Sequence, residues 1–326
     1  VIEVRLATLQ DAAAITEIHC SNVERWLRFD AAGAGIPADY ADLSIYERWL
    51  HGGPWLSLET CAIHLNRLLA GMGTPLVAEV DGEVLGTAEV YENFEAAPFQ
   101  HHLSIGVFYV HQAQQRVGIG HALLDYIVTM TDLMKCDRLT VDAPNVPEFY
   151  TRFGFKPLLS ARRVHIPTQA GRAFYQASEL TERSAEQIKG WHMPLGRTVA
   201  SYHAWQSLFP LDWAAGLPEV LNVPMSHLKI TAAGQNALLL LKEADAPGSQ
   251  PRECSVLCWS SRPLSAPLLA AIRDRANREG YDTVTTFCAD QDWPLLLAAD
   301  AHPTDTHQTC YALDKHDFSR FEHVVR

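Results

Sequence analysis

Gly106-Val107-Phe108-Tyr109-Val110-His111-Gln112-Ala113-Gln114-Gln115-Arg116-Val117-Gly118-Ile119-Gly120-His121-Ala122-Leu123-Leu124 reads, in order, as a strand, a glycine-rich turn and the start of an amphipathic helix. The first-turn N–H groups of such a helix lack internal partners, and the helix dipole adds positive potential there. A terminus of this kind accepts a phosphate. Gly118 and Gly120 carry no Cβ that would hold a pyrophosphate away from the backbone, and Arg116 adds a charge at the rim. A Rossmann turn needs Gly-x-Gly-x-x-Gly after the first strand of a parallel sheet, whereas here position 123 is Leu and several predicted strands precede the turn. A P-loop needs Gly-Lys-Ser/Thr, which does not follow. A tight strand–helix turn without a ligand remains as the alternative.

Toward the N-terminus, Val1–Ala7 alternates like a strand, and Asp11 is placed to cap a helix with Ala14, Ile15, Ile18 and His19 on one stripe. Residues 30–54 are rich in Gly, Ala, Pro and Asp and read as a loop-rich insertion with one helical piece at Leu43–Leu50. Pro54 and Ser57 open a helix over Leu56–Leu69, with Leu58, Cys61, Leu65 and Leu68 inward and Gly71 and Gly73 as stops. Pro75–Val80 and Glu83–Tyr91 form a hairpin around Asp81-Gly82, and a strand over Leu103–Val110 follows. Beyond the turn come a helix over Gly118–Asp132, a strand over Arg138–Asp142, a helix over Val146–Phe153 and a strand over Lys156–Ile166. The order β-α-α-β-β-β-α-β-α-β feeds antiparallel strands into one β-α-β crossover. It predicts an α/β fold of the α+β kind, a mixed sheet with helices on both faces.

A chain of 326 residues suits two domains of about 150 residues, placed at residues 1–167 and 168–326. Residues 168–235, with Trp191, Trp205 and Trp213 and Pro194, Pro210, Pro218 and Pro224, read as an irregular linker or crossover. Periodicity returns with strands at Asn236–Glu243 and Glu253–Ser260, a helix at Ser265–Arg278 with Leu268, Leu269 and Ile272 inward, a strand at Thr283–Ala289, a short helix at Pro294–Ala299 and a strand at Gln308–Leu313. This order repeats the second half of the first domain. The counterpart of the glycine turn, Trp259-Ser260-Ser261-Arg262-Pro263-Leu264-Ser265, has no glycine, and Pro263 lacks an N–H. The second domain is therefore expected to be degenerate, without a phosphate site, and to cover an edge, shape a pocket or mediate dimerisation. An unrelated α+β domain is the alternative.

The net charge of −12, with no basic stripe, argues against nucleic acid as a partner and suits a cationic small molecule, with solubility as the other reading. Apolar runs such as Ala237–Leu241 are strand-sized, short of the ~20 residues of a membrane span, so no membrane partner is expected. The N-terminus has no secretory h-region, and a cytoplasmic protein, monomer or homodimer, is expected. Seven cysteines include no C-x-x-C pair. Cys254 and Cys258 share a strand face without further ligands at zinc spacing, which points to buried thiols and no metal.

The stretch quoted above resembles the acetyl-CoA motif of the GNAT superfamily of N-acetyltransferases, Q/R-x-x-G-x-G/A, with Gln115, Gly118 and Gly120 in its defined positions. Val110-His111 stands where the family's strand ends, and Ala122-Leu123-Leu124 continues its helix. Further on, Asn145 ahead of Phe149-Tyr150-Thr151-Arg152-Phe153-Gly154-Phe155 is similar to the family's N-x-x-x-x-Y-x-x-x-G-F signature. The match covers residues 1–167, and tandem members with one silent half are familiar, so the resemblance implies two tandem copies of the GNAT fold. It also implies direct acetyl transfer from acetyl-CoA to a primary amine of a small molecule. Backbone groups of Phe108, Tyr109 and Val110 would pair with pantetheine as an added strand. Backbone N–H groups of Gln115, Arg116, Val117, Gly118, Ile119, Gly120 and His121 would hold the pyrophosphate. An N–H near Val110 would polarise the thioester carbonyl. Asn145 would contact the cofactor arm, and Tyr150 would protonate the leaving thiolate as general acid. The other reading of Tyr150 is an aromatic core residue.

The acceptor amine must lose a proton. Glu92 and Glu89 are the leading bases, followed by His101 and His102; for each carboxylate singly, a solvated rim charge is the other reading. Glu89 lies within its strand, and Glu92 and Glu95 are expected in the exit loop. Adjacent histidines on a strand face opposite ways, so at most one of that pair serves. Two other functions fit the same loop: a non-catalytic acyl-CoA sensor or scaffold, and an acyltransferase with another acyl-CoA donor or a non-amine acceptor.

Overall fold

The computed structural model describes residues 1–30, 33–171, 173–208, 217, 219, 223–243 and 251–321. The first half runs β1 (Ile2–Leu6), α1 (Ala12–Ser21), a small ribbon of β2 (Leu27–Phe29) and β3 (Gly35–Pro37), α2 (Ile45–Trp49), α3 (Leu58–Arg67), β4 (Thr74–Val80), β5 (Glu83–Phe94), β6 (His101–Val110), α4 (Ile119–Leu133), β7 (Arg138–Asp142), α5 (Pro147–Arg152) and β8 (Lys156–Pro167). The second runs β9 (Tyr175–Glu179), β10 (His192–Leu195), α6 (Ser201–Leu208), β11 (Met225–Ala232), β12 (Gln235–Glu243), β13 (Glu253–Ser260), α7 (Ala266–Arg278), β14 (Thr283–Ala289), α8 (Trp293–Leu297) and β15 (His302–Asp314). No helix among the described residues is long and apolar enough to cross a membrane.

Thirteen strands form one mixed sheet in the order β1-β4-β5-β6-β7-β15-β8-β14-β10-β13-β12-β11-β9. About the central β15/β8 pair this order is nearly the same read either way. β1, β4, β5, β6 and β7 on one side answer to β9, β11, β12, β13 and β14 on the other. Each half lends its last strand: β15 runs antiparallel to β7, with Cys310 opposite Asp142, and β8 runs antiparallel to β14. The expected repeat is thus built by reciprocal strand exchange, and the sheet passes without a break across residue 167.

One strand breaks this symmetry. β6 and β7 run parallel only over His102–Ile105 and Arg138–Val141 and then part. Glu89 faces Val107 while Val90 faces Ile105, so Gly106 is an extra residue, a bulge that turns β6 away from β7. β13 and β14 likewise run parallel over Glu253–Ser255 and Thr283–Thr285 and part. In that second fork lies β10, antiparallel to both arms, with Leu195 opposite Cys258 and Cys288. Gly196, at φ 82°, packs on the backbone of Val256 and Leu257 with no room for a Cβ. The chain's own strand fills the second fork, and among the described residues the first has no strand in it.

Helix α4 covers one face of the first half, with Ile119, Leu123, Leu124 and Ile127 packed on Leu76, Ala88 and Leu139. On the other face Ala12 and Ile15 of α1 meet Cys61 and Leu65 of α3 over Val77. Leu58, expected inward, is exposed, because α3 begins there and only its later turns reach the core. Asp11 does not cap α1; its carboxylate takes the N–H and O–H of Thr8 and pairs with Arg5, closing the turn before the helix. β5 keeps its pairing with β6 to Phe94, so Glu92 belongs to the strand and not to an exit loop. The expected linker 168–235 holds β9, β10, α6 and the whole of β11. Within it Trp205 packs edge-on to Trp259 at 5.2 Å, whereas Trp213, Pro210 and Pro218 lie outside the described residues.

Candidate active site

The turn from β6 into α4 is made by two left-handed residues, Arg116 at φ 66° and Gly118 at φ 100°. Gly118 is the N-cap, so no side chain caps the first turn of α4. The loop is tied down from behind by α1: Gln112 N–H donates to Ser21 Oγ at 3.0 Å and Gln115 Nε2 donates to Asn22 Oδ1 at 3.0 Å. Asn22 Nδ2 in turn donates to the carbonyl of Val110 at 3.1 Å. The Gln115 side chain is therefore an anchor of the loop. Arg116, Val117 and His121 are exposed, and Ile119 is buried under the turn. A Cβ on Gly120 would meet Phe108 at 3.5 Å and Phe149 at 3.7 Å, ordinary contacts, so packing within the protein does not demand glycine there.

Phe108 and Val110 turn their side chains to the α4 core, and Tyr109 turns to the opposite side, toward α1. Tyr150 of α5 is buried on the α4 side, its ring centroid 6.1 Å from Phe108, 5.1 Å from Phe149 and 5.4 Å from Phe155. Burial pushes its phenol pKa up, which keeps it protonated. Asn145 is exposed in the connection from β7 to α5.

The other face of the fork is lined by residues the sequence reading did not bring together. Glu89, 4% exposed, accepts from Trp55 Nε1 at 2.6 Å and from Tyr91 Oη at 3.0 Å, and both its oxygens lie 3.0–3.1 Å from His64 Nε2. Burial would raise the Glu89 pKa, but His64 and these hydrogen bonds outweigh it and lower it to about 2. His19 stacks on Trp55 at 5.1 Å and sits 4.5 Å from Tyr109; its Nε2 is buried without a hydrogen-bond partner, and burial lowers its pKa to about 4. His203 of α6 stacks flat on Tyr91 at 3.9 Å, also with its pKa lowered by burial to about 4. A Cβ on Gly106 would lie 2.6 Å from His203 and 2.7 Å from Tyr91, so the bulge glycine leaves space for both rings.

Helix α6 is clamped there by the first half. Glu95 Oε1 and Asn93 Oδ1 accept from the N–H groups of Ser201 and Tyr202. Arg197 bridges Glu95 Oε2 at 2.6 Å and Asp142 Oδ1 at 3.2 Å, with Asp142 at the base of the fork. Glu92, in contrast, is exposed and pairs with His101 at 2.8 Å, away from this cluster. The two histidines do face opposite ways: His102 is fully buried, and burial lowers its pKa to about 3. Polar residues at every second position along β5 and just past its end, Glu89, Tyr91, Asn93 and Glu95, are the available signal for this face. Nothing in the sequence tied His64, Trp55 or His203 to it. Among the described residues no group of His, Cys, Asp or Glu is arranged to hold a metal.

Residues 39–155 match the family model of the acetyltransferase (GNAT) family. Solved structures with the same fold include a GCN5-related N-acetyltransferase from Anabaena variabilis ATCC 29413, 12% identical over 97% of this chain and 73% of that one, with a TM-score of 0.64. Eis1 from Mycobacterium abscessus is 16% identical over 97% and 74%, with a TM-score of 0.55. A conserved protein of unknown function from Enterococcus faecalis V583, a probable N-acyltransferase, is 9% identical over 96% and 73%, with a TM-score of 0.57. No curated protein sequence matches the chain. At these identities the likeness to the solved structures is one of fold.

Proposed function

We infer that this chain, which carries an acyl-CoA-dependent acetyltransferase domain of the GNAT family, transfers acetyl from acetyl-CoA to a primary amine of a small molecule by direct attack. The observation that carries this reading is the fork between β6 and β7, with the uncapped first turn of α4 at its mouth. The molecule supplies its own comparison: at the equivalent fork between β13 and β14 an extended segment, β10, pairs into the gap. Pantetheine, with amides spaced along an extended arm, would enter the first fork in the same manner. The N–H groups of residues 115–121 would take the pyrophosphate, and Asn145 at the rim would meet the cofactor arm. With its own fork filled and no glycine turn before α7, the second half would bind no cofactor, leaving one active site per chain.

On the far side, the Glu89 carboxylate amid Trp55 and Tyr91 favours a cationic acceptor. Of the two carboxylates, Glu89 adjoins the bulge and Glu92 points away from it. Tyr150, protonated and packed on Phe108, would give its proton to the departing CoA thiolate. A free-thiol assay over an amine panel tests the reading: CoA release that depends on one class of amine is expected. Tight acetyl-CoA binding without turnover on any amine would instead mark a sensor or scaffold, and turnover confined to another acyl-CoA or a non-amine would correct donor or acceptor. Tyr150→Phe should lower kcat by about 10²–10⁴-fold, the range for a general acid, and an unchanged kcat removes that role.

A further inference from the structure

We propose that His64, aligned by Glu89, is the general base that takes the proton from the attacking amine. The proposal rests on the acetyl-transfer reading above and assigns its acceptor-side chemistry. Glu89 is poorly suited to act itself. Three donors, Trp55 Nε1–H, His64 Nε2 and Tyr91 Oη–H, already converge on it inside the protein, and at 4% exposure it offers an incoming ammonium group little access to its oxygens. The same features make it a good aligning group. A carboxylate only accepts, so the nitrogen 3.0–3.1 Å from its two oxygens, His64 Nε2, carries the hydrogen. In neutral imidazole Nδ1 is then the lone-pair nitrogen. Nδ1 has no hydrogen-bond partner among the described residues and is not among their buried unpartnered atoms, and the side chain keeps 16% of its exposure. This is the arrangement in which an anion fixes tautomer and orientation and stabilises the imidazolium. The Trp55 ring, edge-on to His64 at 5.1 Å, holds the plane of the imidazole while its N–H holds Glu89.

The pair is also in the right place. Glu89 lies opposite Val107, one residue from the bulge, and Tyr91, which donates to Glu89, borders Gly106 itself. The other imidazoles are less available. His19 has its Nε2 buried between Trp55 and Tyr109, and His203 lies face-down on Tyr91. The titratable and charged groups around the pair are Tyr91 of β5, His19 of α1, Cys61 and Arg67 of α3, and His203 of α6.

In the reaction, the amine lone pair forms the C–N bond at the thioester carbonyl carbon, and the carbonyl π pair moves onto oxygen. The ammonium proton passes to His64 Nδ1. The oxyanion pair returns, the C–S bond breaks and the thiolate takes the Tyr150 proton. His64 then releases a proton to solvent and Tyr150 regains one, so amine and thioester become amide and thiol.

The test is steady-state kinetics of the full chain with the best amine of the panel, for wild type, His64→Gln, His64→Ala and Glu89→Gln. His64→Gln should lose about 10²–10⁴-fold in kcat with the KM for acetyl-CoA unchanged, and should lose the acid limb of its pH profile. Added imidazole should restore part of the His64→Ala activity, which a merely structural role would not allow. Glu89→Gln should keep the fold and lower kcat. A folded His64→Gln with wild-type kcat and pH profile overturns the proposal, as does a Glu89→Gln enzyme that is dead while His64→Gln is active, because Glu89 is then the base. Turnover of no amine by wild type overturns the parent reading and this proposal together.

Discussion

Gly120→Ala separates a glycine kept for a ligand from one kept for the fold. Gly120 stands in the first turn of α4, where its φ is ordinary and a methyl group would make contacts of 3.5 Å and longer. Replacing glycine by alanine at such a site stabilises a free protein by about 0.4–1 kcal/mol, largely through the unfolded chain. The same methyl would project where the pyrophosphate is proposed to approach the α4 N–H groups. A tenfold loss of affinity there is about 1.4 kcal/mol. With CoA at 100 times the wild-type Kd, ligand stabilisation is about 2.7 kcal/mol, and a tenfold weaker site at the same concentration retains about 1.4 kcal/mol. The variant should therefore unfold at slightly higher denaturant without CoA and gain only about half the wild-type increment with it. Urea titrations with and without CoA, checked by calorimetric Kd, measure both effects. A full wild-type increment would refute the placement of the pyrophosphate, and a loss of stability without ligand would refute the packing account. Gly118→Ala is the contrast: at φ 100° a side chain costs about 1–2 kcal/mol in the free protein.

Gly106→Ala should destabilise by about 1–3 kcal/mol, since its Cβ would meet His203 at 2.6 Å and Tyr91 at 2.7 Å; an unchanged urea midpoint would contradict the packing of α6 on the bulge. Arg197→Ala strands Glu95 and Asp142 in the interior and should cost about 3–5 kcal/mol by thermal or urea unfolding. Acid should destabilise the protein well above the carboxylate range. His19 and His102 fall from 6.5 to about 4 and about 3 on folding, so the unfolded chain binds more protons, and stability is full above pH 6.5 and lost as pH falls toward the folded values. Between pH 6.5 and 5 each should remove about 2 kcal/mol, and a melting temperature flat over that interval would contradict it. Glu89, lowered from 4.5 to about 2, adds a loss of the same sign below pH 4.5.

Local signals read well where one physical cause dominates. The Asp81-Gly82 turn, the strand running into Gly118 and the α7 stripe of Leu268, Leu269 and Ile272 all appear where their patterns put them. The sequence pattern ends β5 at Tyr91, because Glu92 and Asn93 look like loop residues, yet Asn93 is buried through bonds to Ser104 and to Tyr202 N–H. β10 was invisible: four residues containing Pro194 show no alternation, and only the fork between β13 and β14 gives them a place. The strand exchange was equally hidden, since β8 and β15 have the same pattern whichever half they complete. The turn into α4 is legible because backbone conformation demands glycine at 118. His64, Trp55 and His203 are brought to Glu89 from α3, the turn before it, and α6, and such convergence has no spacing rule.

The open β6/β7 fork is proposed to be the acyl-CoA site, and the filled β13/β14 fork is not. A crystal structure of the chain with CoA tests it most directly. One CoA per chain is predicted, with its pyrophosphate on the N–H groups of residues 115–121 and its pantetheine between β6 and β7. CoA bound elsewhere, or a second molecule displacing β10, would contradict it.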